Sequence, residues 1–180
     1  GAYAEYIEED WYSDGAELVE AADNVVMTRT FSKLHALAQL RLGWAYCPTA
    51  VADVLDRIRA PFNVAGPAQA AGLAALADRE HADRTRAHTI QWRDWLTAEA
   101  TKLGLGTTDS VGNFVLLRFA GEAGRTAPEA AHQADAFLRQ KGIIVRTQDP
   151  VGLSDCLRVS IGTEGEMRAT LAALAEFMQG

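Results

Sequence analysis

The sequence predicts an α/β fold in two unequal parts. Residues 1–65 alternate short apolar runs with short helical segments, as the closing part of a larger α/β domain does. Pro61 and Pro67 then interrupt this pattern. Residues 66–180 predict a linker helix followed by a small α+β domain. Apolar residues make up 48% of the 180, which is ample for a buried core.

The first part contains two predicted strands and one clear helix. Apolar residues predict strands over 25–28 and 42–47. Thr49 is a residue type that favours the N-cap position, so we expect it to open the next helix. The apolar residues of that helix recur at helical spacing: Val51, Val54, Leu55 and Ile58.

The second part begins with a long helical region over residues 68–103, which Gly104 ends. Apolar runs then predict three strands, over 114–119, 143–146 and 156–161. Strands and helices separated along the chain in this way are typical of an α+β domain.

Two capping boxes mark the helices of the small domain. Thr126 with Glu129 opens one helix, which ends at residues 141–142, and Thr163 with Glu166 opens the last. We expect the apolar stripe of the last helix to be core, and it consists of Met167, Leu171, Leu174 and Met178.

Lys33 is the main candidate for chemistry. It is one of three lysines and follows an apolar run, at a strand end where α/β folds place their sites. A lysine amine there can form a covalent bond with a carbonyl compound once it loses its proton. The hydroxyls of Thr30 and Ser32 and the guanidinium of Arg41 suit a bound phosphate. The same residue types also occur in solvated turns, so the spacing leaves both interpretations open.

Two arginines stand in or beside apolar runs of the small domain. Arg158 lies among the residues of the predicted strand 156–161, and Arg146 closes the strand before it. Arginine is rarely buried without a partner. That partner is either a bound carboxylate or an internal Asp or Glu, and the residues alone do not decide between them.

Composition excludes several other classes. A formal charge of −7 argues against nucleic-acid binding. No stretch approaches the ~20 apolar residues of a membrane span, and the histidines form no metal-binding pattern. Cys47 and Cys156 fall in apolar runs, and we expect buried free thiols there, as in a reducing compartment. The cytoplasm is the expected location.

Several segments resemble, in the same order, the fold-type I aminotransferases that use pyridoxal phosphate, and within them the histidinol-phosphate branch. The matching segments run from Ala2-Tyr3, through Thr30-Phe31-Ser32-Lys33 and Leu40-Arg41-Leu42-Gly43, to Pro61-Phe62-Asn63-Val64, Gly112-Asn113-Phe114, Gly142-Ile143-Ile144-Val145-Arg146 and Leu157-Arg158-Val159-Ser160-Ile161-Gly162. The ordered resemblance covers nearly the whole chain.

This resemblance implies a role for each matched residue. Lys33 would hold pyridoxal 5'-phosphate covalently and carry the proton at the substrate α-carbon. Thr30, Ser32 and Arg41 would bind the phosphate of the cofactor. Tyr3 would donate a hydrogen bond to the phenolic oxygen of the cofactor ring, although without the resemblance it could equally be a core tyrosine.

The small domain would hold the substrate. Arg158 matches the arginine that binds the substrate α-carboxylate. Arg146 and Asn113 match positions near the substrate. The implied reaction passes an amino group between histidinol phosphate and 2-oxoglutarate in histidine biosynthesis, in a homodimer. Two alternatives remain: an aromatic amino-acid aminotransferase acting on phenylalanine, and a non-catalytic fragment of either enzyme.

The departures from the family bear on activity. Its first motif reads Asp-Glu-Ala-Tyr, and the Asp would precede Gly1 of this chain. That Asp keeps the pyridine nitrogen of the cofactor protonated. Gln39 stands where the family commonly has Gly. The chain corresponds to the C-terminal half of the family, so we expect these 180 residues to be inactive alone.

Overall fold

The structure, a computed structural model, describes residues 1–121 and 126–179. It mixes helix and sheet, which confirms the α/β class. The chain forms two compact units, of which the first ends at Arg86 and the second begins at Ala87. The division into compact units falls inside the longest helix, and the domain boundary at residues 65–66 stays a prediction.

The first unit contains a two-stranded antiparallel sheet and several helices. Its elements are α1 (Ala16–Ala21), β1 (Met27–Thr30), β2 (Gly43–Tyr46), α2 (Thr49–Ile58), α3 (Gly66–Ala77) and the start of α4 (Arg79–Lys102). Met27 pairs with Tyr46, and Thr30 pairs with Gly43. The predicted strand 25–28 is therefore two residues too early, because the ladder begins only where β2 supplies a partner.

Helix α2 begins differently from the prediction. Thr49 is its first residue and not its cap. Pro48 takes the cap position in an extended conformation, and its carbonyl accepts from the N–H groups of Val51 and Ala52 at 3.0 Å each. Helix α2 has no buried residue, and its apolar side chains Val54, Leu55 and Ile58 are exposed.

Asp78 divides the predicted helix 68–103 into α3 and α4. Its backbone leaves the helical region, with φ −87° and ψ 72°. Its side chain then caps α4, since Oδ1 accepts from the N–H of His81 at 3.0 Å. Asp competes for backbone N–H groups in this way, and for that reason it favours caps over helix interiors.

Over the residues that the structure describes, the second unit is a four-stranded antiparallel sheet with three α-helices. Its strands lie in the order β3 (Gly106–Thr107), β4 (Phe114–Arg118), β6 (Cys156–Ser160) and β5 (Arg146–Thr147). The remaining helices are α5 (Ala127–Gln140) and α6 (Glu164–Gln179). Alternate strand residues face the helices, as the two-residue period of a strand requires.

The core of the second unit joins one sheet face to the three helices. Leu96 of α4 and Leu138 of α5 are fully buried, and they pack in one cluster with Leu117 and Leu157 of the sheet. Leu174 of α6 completes this cluster. The predicted stripe of α6 is core: Met167 and Leu174 are buried, while Leu171 and Met178 pack against the cluster.

The end of α5 explains why β5 is shorter than predicted. The N–H of Gly142 donates to Arg139 at 3.0 Å, and the N–H of Ile143 donates to Leu138 at 2.9 Å. This is a Schellman ending, and Gly142 provides its left-handed residue with φ 77°. Ile143 therefore belongs to the helix end, and of the predicted strand 143–146 only Arg146 lies in β5, which continues to Thr147.

Both predicted capping boxes form. The Glu129 carboxylate accepts from the N–H of Thr126 at 2.8 Å, and the Glu166 carboxylate accepts from the N–H of Thr163 at 2.7 Å. In return each threonine hydroxyl accepts from the N–H of its glutamate at 3.4 Å. These bonds satisfy N–H groups that a helix start leaves unpaired.

Two predicted cysteine environments have different outcomes. Cys156 is a buried free thiol in β6, as expected. Cys47 is only half-buried and lies one residue beyond β2, so its prediction as a buried strand residue is wrong. Within residues 1–121 and 126–179, no helix is long and apolar enough to span a membrane, and no His, Cys, Asp or Glu cluster could hold a metal.

The capping boxes contribute stability to the second unit that is lost at acid pH. Hydrogen bonds from Thr163, first from its N–H and then from its hydroxyl, hold the pKa of Glu166 below its ordinary value. A lowered folded-state pKa contributes stability that is present above the unfolded value, near 4.5, and is lost as pH falls through the folded value.

We expect Glu166→Gln to destabilise the protein at pH 7 and to flatten the loss of stability between about pH 5 and 3. Urea unfolding across this range measures the effect, and Thr163→Ser, which keeps the cap, is the control. An unchanged acid limb in Glu166→Gln would contradict the prediction.

Candidate active site

Lys33 lies in a tight turn directly after β1. The turn is anchored by Phe31 and Leu34, which are 6% and 2% exposed. The N–H of Leu37 donates to the Phe31 carbonyl, and the N–H of Ala36 donates to the Lys33 carbonyl, at 3.0 Å each. Two buried side chains and a closed backbone therefore hold the half-buried Lys33 in a defined place.

Three of the predicted phosphate-binding residues meet beside this turn. The Thr30 hydroxyl donates to the Ser32 hydroxyl at 2.9 Å, and the Ser32 N–H donates to the Thr30 hydroxyl at 3.1 Å. Nη1 of Arg41 lies 3.4 Å from Ser32 Oγ. Two hydroxyls and a guanidinium in one place are a donor set that suits a phosphate.

Unusual backbone conformations shape this cluster. Ala36 and Arg41 have φ values of 56° and 52°, in the left-handed region that non-glycine residues seldom adopt. The Arg41 guanidinium also donates to the Ala38 carbonyl at 2.7 Å. Strain of this kind persists where the surroundings fix the backbone, and it is concentrated at functional sites.

Tyr3 is brought next to Lys33, although 30 residues separate them in the sequence. The amine of Lys33 lies 5.4 Å from the centroid of the Tyr3 ring. All five residues predicted to bind the cofactor therefore lie in the first unit, and they form two adjoining groups: Tyr3 with Lys33, and Thr30 with Ser32 and Arg41.

The second unit places its two candidate arginines side by side. Arg146 of β5 is directly opposite Arg158 of β6 in the antiparallel register. Residues in this relation lie on the same face of the sheet, and like charges there repel each other. An anion bound between the two guanidinium groups would relieve that repulsion.

Arg158 has no carboxylate partner among the residues that the structure describes. Its guanidinium instead lies over the ring of Phe114, 4.9 Å from the centroid. Its Nε is buried and makes no hydrogen bond there. The sequence left open a bound carboxylate or an internal Asp or Glu as the partner of Arg158. Among the described residues, no Asp or Glu takes that place.

Both arginines line a cavity of about 580 Å³ at the β5 and β6 edge of the sheet. Ser160, which follows Arg158 on the same face of β6, lines it too. The rest of the wall comes from residues 142–145 after α5, from the end of β6 with the loop that follows it, and from the start of α6. The cavity thus combines two cations, the Ser160 hydroxyl and the Glu166 carboxylate with apolar walls.

The loop between β6 and α6 forms one wall of this cavity and is held from two sides. The N–H of Ile161 donates to the Asn113 carbonyl at 2.9 Å, so Asn113 supports the loop through its main chain. The His88 ring lies 2.8 Å from the Gly162 carbonyl and can donate Nε2–H to it. Gly162 faces the Glu166 carboxylate so closely that a Cβ there would lie 2.5 Å from it.

The sequence did not indicate the roles of Phe114, His88 and Ala36. Phe114 directly follows Asn113 in a matched segment, but nothing in its spacing indicates an arginine above its ring. His88 lies in a run rich in arginine and acidic residues, which predicted only a solvated helix face. Ala36 is ordinary in sequence, and only its φ value distinguishes it.

The sequence matches a known protein family over most of its length. The sequence pattern described as Aminotransferase class I and II matches residues 1–174. The chain therefore belongs to the class I and II aminotransferase family.

Two similar proteins share the name of one aminotransferase. The histidinol-phosphate aminotransferase of Paramagnetospirillum magneticum is 53% identical over 177 residues, and that of Rhodopseudomonas palustris strain BisA53 is 51% identical over 178. These matches cover 98% and 99% of the chain, and 48% of each relative. The chain thus spans about half the length of the curated relatives it matches.

A solved structure gives the same relation. The histidinol-phosphate aminotransferase of Sinorhizobium meliloti, in complex with pyridoxal-5'-phosphate, superposes with a TM-score of 0.87 at 29% identity. The match covers 99% of this chain and 47% of that one. The two units therefore have the fold of about half of an aminotransferase subunit.

The left-handed Ala36 gives a test of the turn that carries Lys33. Alanine costs roughly 1–2 kcal/mol in this conformation, and glycine avoids most of that cost. We expect Ala36→Gly to stabilise the protein by up to about 1 kcal/mol, since the freer unfolded chain offsets part of the gain. Ala38→Gly, two residues later in a 3₁₀ turn, is the matched control and should destabilise. Urea unfolding measures both, and a loss of stability in Ala36→Gly would contradict the left-handed assignment.

Proposed function

We propose that this chain is part of an enzyme that transfers an amino group between histidinol phosphate and 2-oxoglutarate with pyridoxal 5'-phosphate as cofactor. The observation that supports it most is the convergence of Thr30, Ser32 and Arg41 beside Lys33. Relatives of about 50% identity that are named for this activity support the choice of substrate.

The residues of the first unit fit the cofactor. Its phosphate is a dianion, and the Thr30 hydroxyl and the Arg41 guanidinium each lie within 3.4 Å of the Ser32 hydroxyl, so that three donor groups are close together. The permanent positive charge of an arginine side chain would offset part of the negative charge of the phosphate. Tyr3, beside Lys33, would donate to the phenolic oxygen of the ring.

When bound, pyridoxal phosphate supplies an electron sink for negative charge at the substrate α-carbon. Lys33 would hold the cofactor through its amine. Once released by an incoming substrate, that amine would take the proton from the α-carbon and return it. The anchored turn would keep Nζ in place for this transfer, because Phe31 and Leu34 fix the backbone on either side.

The second unit would hold the anionic end of the substrate. Arg158 offers a buried Nε that has no partner in the described part of the chain, and Arg146 stands opposite it. The Phe114 ring fixes the plane of the Arg158 guanidinium, as bidentate binding of a carboxylate needs. Asn113 would act near the substrate, since it lies directly before β4 and accepts a hydrogen bond from the loop that forms one wall of the cavity.

The family assignment carries further expectations for the whole protein. We expect it to act as a homodimer in the cytoplasm. We expect the 180 residues alone to bind the cofactor weakly or not at all, since they span about half the length of the curated relatives. Under the fragment alternative, this chain serves no catalytic function of its own.

Lys33→Ala tests the cofactor assignment in the full-length protein that carries these residues. We expect borohydride reduction with pyridoxal phosphate to attach the cofactor to the Lys33 peptide of the wild type and not of the variant. Turnover should fall at least about 10³-fold, because the variant lacks the amine that moves the proton. Peptide mass spectrometry and a transaminase assay measure both effects.

Lys102→Ala is the matched control, since Lys102 is an exposed lysine of α4 that bonds only to the nearby Glu99 among the described residues. It should keep both labelling and turnover. Labelling at another lysine, or wild-type turnover in Lys33→Ala, would contradict the assignment. Labelling without turnover in the wild type would favour the non-catalytic alternative.

A comparison of amino donors tests the substrate. With 2-oxoglutarate as acceptor, we expect kcat/KM for histidinol phosphate to exceed that for phenylalanine by at least about 100-fold, because phenylalanine lacks the phosphate and the imidazole and would leave the groups that bind them unpaired. Steady-state kinetics of the full-length protein measure the ratio. A ratio near or below one would favour the aromatic aminotransferase.

A further inference from the structure

Arg29 is a nearly buried arginine next to the candidate phosphate site. It lies in β1, directly before Thr30, and its side chain is 10% exposed. Its guanidinium reaches two carboxylates from distant parts of the first unit. Nη2 lies 3.0 Å from Asp14 Oδ2, and Nη1 lies 3.6 Å from Glu5 Oε1.

Glu5 belongs to the short segment that carries Tyr3. The N–H of Tyr6 donates to the Tyr3 carbonyl at 3.0 Å, and residues 4–6 form a 3₁₀ turn. Ala4 and Tyr6 are buried, at 7% and 3% exposure. Tyr3 therefore belongs to a folded segment, and its position depends on where that segment is attached.

Arg29 contacts this segment on both sides of Tyr3. After Tyr3, the contact is the ion pair with Glu5. Before Tyr3, the backbone of Gly1 packs so closely on β1 that a Cβ there would lie 3.2 Å from Arg29 Cδ and 3.0 Å from the Thr28 carbonyl. A third attachment comes from Arg86, whose Nε donates to the Glu5 carbonyl at 2.7 Å.

Lys33, the partner of Tyr3 in the ring contact, is connected to Arg29 through the backbone. Lys33 follows Arg29 by four residues, in the anchored turn after β1. The positions of both Tyr3 and Lys33, whose contact measures 5.4 Å, thus depend on Arg29. A shift of Arg29 would move the Tyr3 segment relative to β1.

We propose that Arg29 is a positioning residue, which holds the Tyr3 segment against β1 so that Tyr3 and Lys33 present one surface to the cofactor ring. This inference rests on the proposed function. Arginine suits the task because its planar fork reaches two carboxylates at once, which the point charge of a lysine cannot. The low exposure of the Arg29 side chain, 10%, limits screening at its end of each pair, while the Glu5 and Asp14 side chains are 25% and 47% exposed.

The cost of this arrangement argues for a purpose beyond stability. Nε of Arg29 is buried and makes no hydrogen bond in the described residues. A buried charge with an unsatisfied donor adds little net stability compared with an apolar side chain. What the pair with Glu5 supplies is a fixed orientation of the segment before β1.

The two carboxylate partners provide a matched comparison. Glu5 is two residues from Tyr3, whereas Asp14 lies before α1, away from Tyr3 in the sequence. Asp14 also caps α1, because its Oδ1 accepts from the N–H of Ala16 at 2.9 Å. A purely structural role predicts similar effects of losing either partner, and a positioning role predicts that only Glu5 affects the cofactor.

The experiment uses Arg29→Met, Glu5→Ala and Asp14→Ala in the full-length protein, at a temperature where each is folded by circular dichroism. The first readout is amide hydrogen exchange of residues 4–7 without cofactor. The second is the dissociation constant of pyridoxal phosphate, with its absorbance spectrum compared to that of Tyr3→Phe.

We expect Arg29→Met and Glu5→Ala to speed exchange at residues 4–7, to weaken cofactor binding about tenfold and to reproduce the spectrum of Tyr3→Phe. Arg29→Lys should fall between these variants and the wild type. Asp14→Ala should keep wild-type cofactor binding even where it lowers the melting temperature. Glu5→Ala leaves the buried arginine in place, so the test holds if Arg29→Met does not fold.

Two results would overturn the inference: wild-type exchange and cofactor binding in Glu5→Ala, or equal weakening of cofactor binding in Asp14→Ala. If the wild type itself binds no pyridoxal phosphate, the proposed function fails. The exchange measurement then still decides whether Arg29 holds the Tyr3 segment.

Discussion

The pairing of β1 with β2 is the constraint on which the candidate cofactor site depends. Ser32 and Arg41 are nine residues apart, and they meet because Thr30 pairs with Gly43 and the N–H of Phe31 donates to the Leu42 carbonyl at 3.1 Å. The strands approach so closely that a Cβ on Gly43 would lie 2.7 Å from the Arg29 carbonyl. A larger residue there would separate the strands and, with them, the hydroxyls from the guanidinium.

Positive charge is distributed unevenly over this acidic chain. Surface arginines such as Arg59 and Arg139 have a carboxylate three or four residues away, and pairs of this kind add little stability. Arg41 and Arg158 instead make hydrogen bonds or ring contacts that leave their charge uncompensated among the described residues. In a chain of net charge −7, cations of this kind would attract an anionic ligand.

Local signals were predictable from the sequence, and signals that depend on distant partners were not. Both capping boxes and the end of α5 at Gly142 follow from residues within one turn of each other. The start of β1 depends on the length of its partner strand, and the break at Asp78 depends on a side chain that competes with the helix. The periodicity of apolar residues indicates neither the length of a partner strand nor a side chain that competes for backbone hydrogen bonds.

The same distinction holds for the candidate site. Lys33, Thr30, Ser32 and Arg41 lie within a dozen residues, so the resemblance to a known segment was enough to group them. The contacts of Arg29 were not predictable in this way, because its partners, Glu5 and Asp14, are 24 and 15 residues away.

The exposed side of the first unit has a consequence for handling the chain in solution. Helix α2 turns Val54, Leu55 and Ile58 to solvent, and the β1–β2 ribbon has no further strand beside it among the described residues. Open strand edges beside apolar surface are where chains add to one another. The isolated polypeptide would therefore lose solubility as its concentration rises, and a charged residue at Ile58 would be the first change to make when preparing it for crystals or spectra.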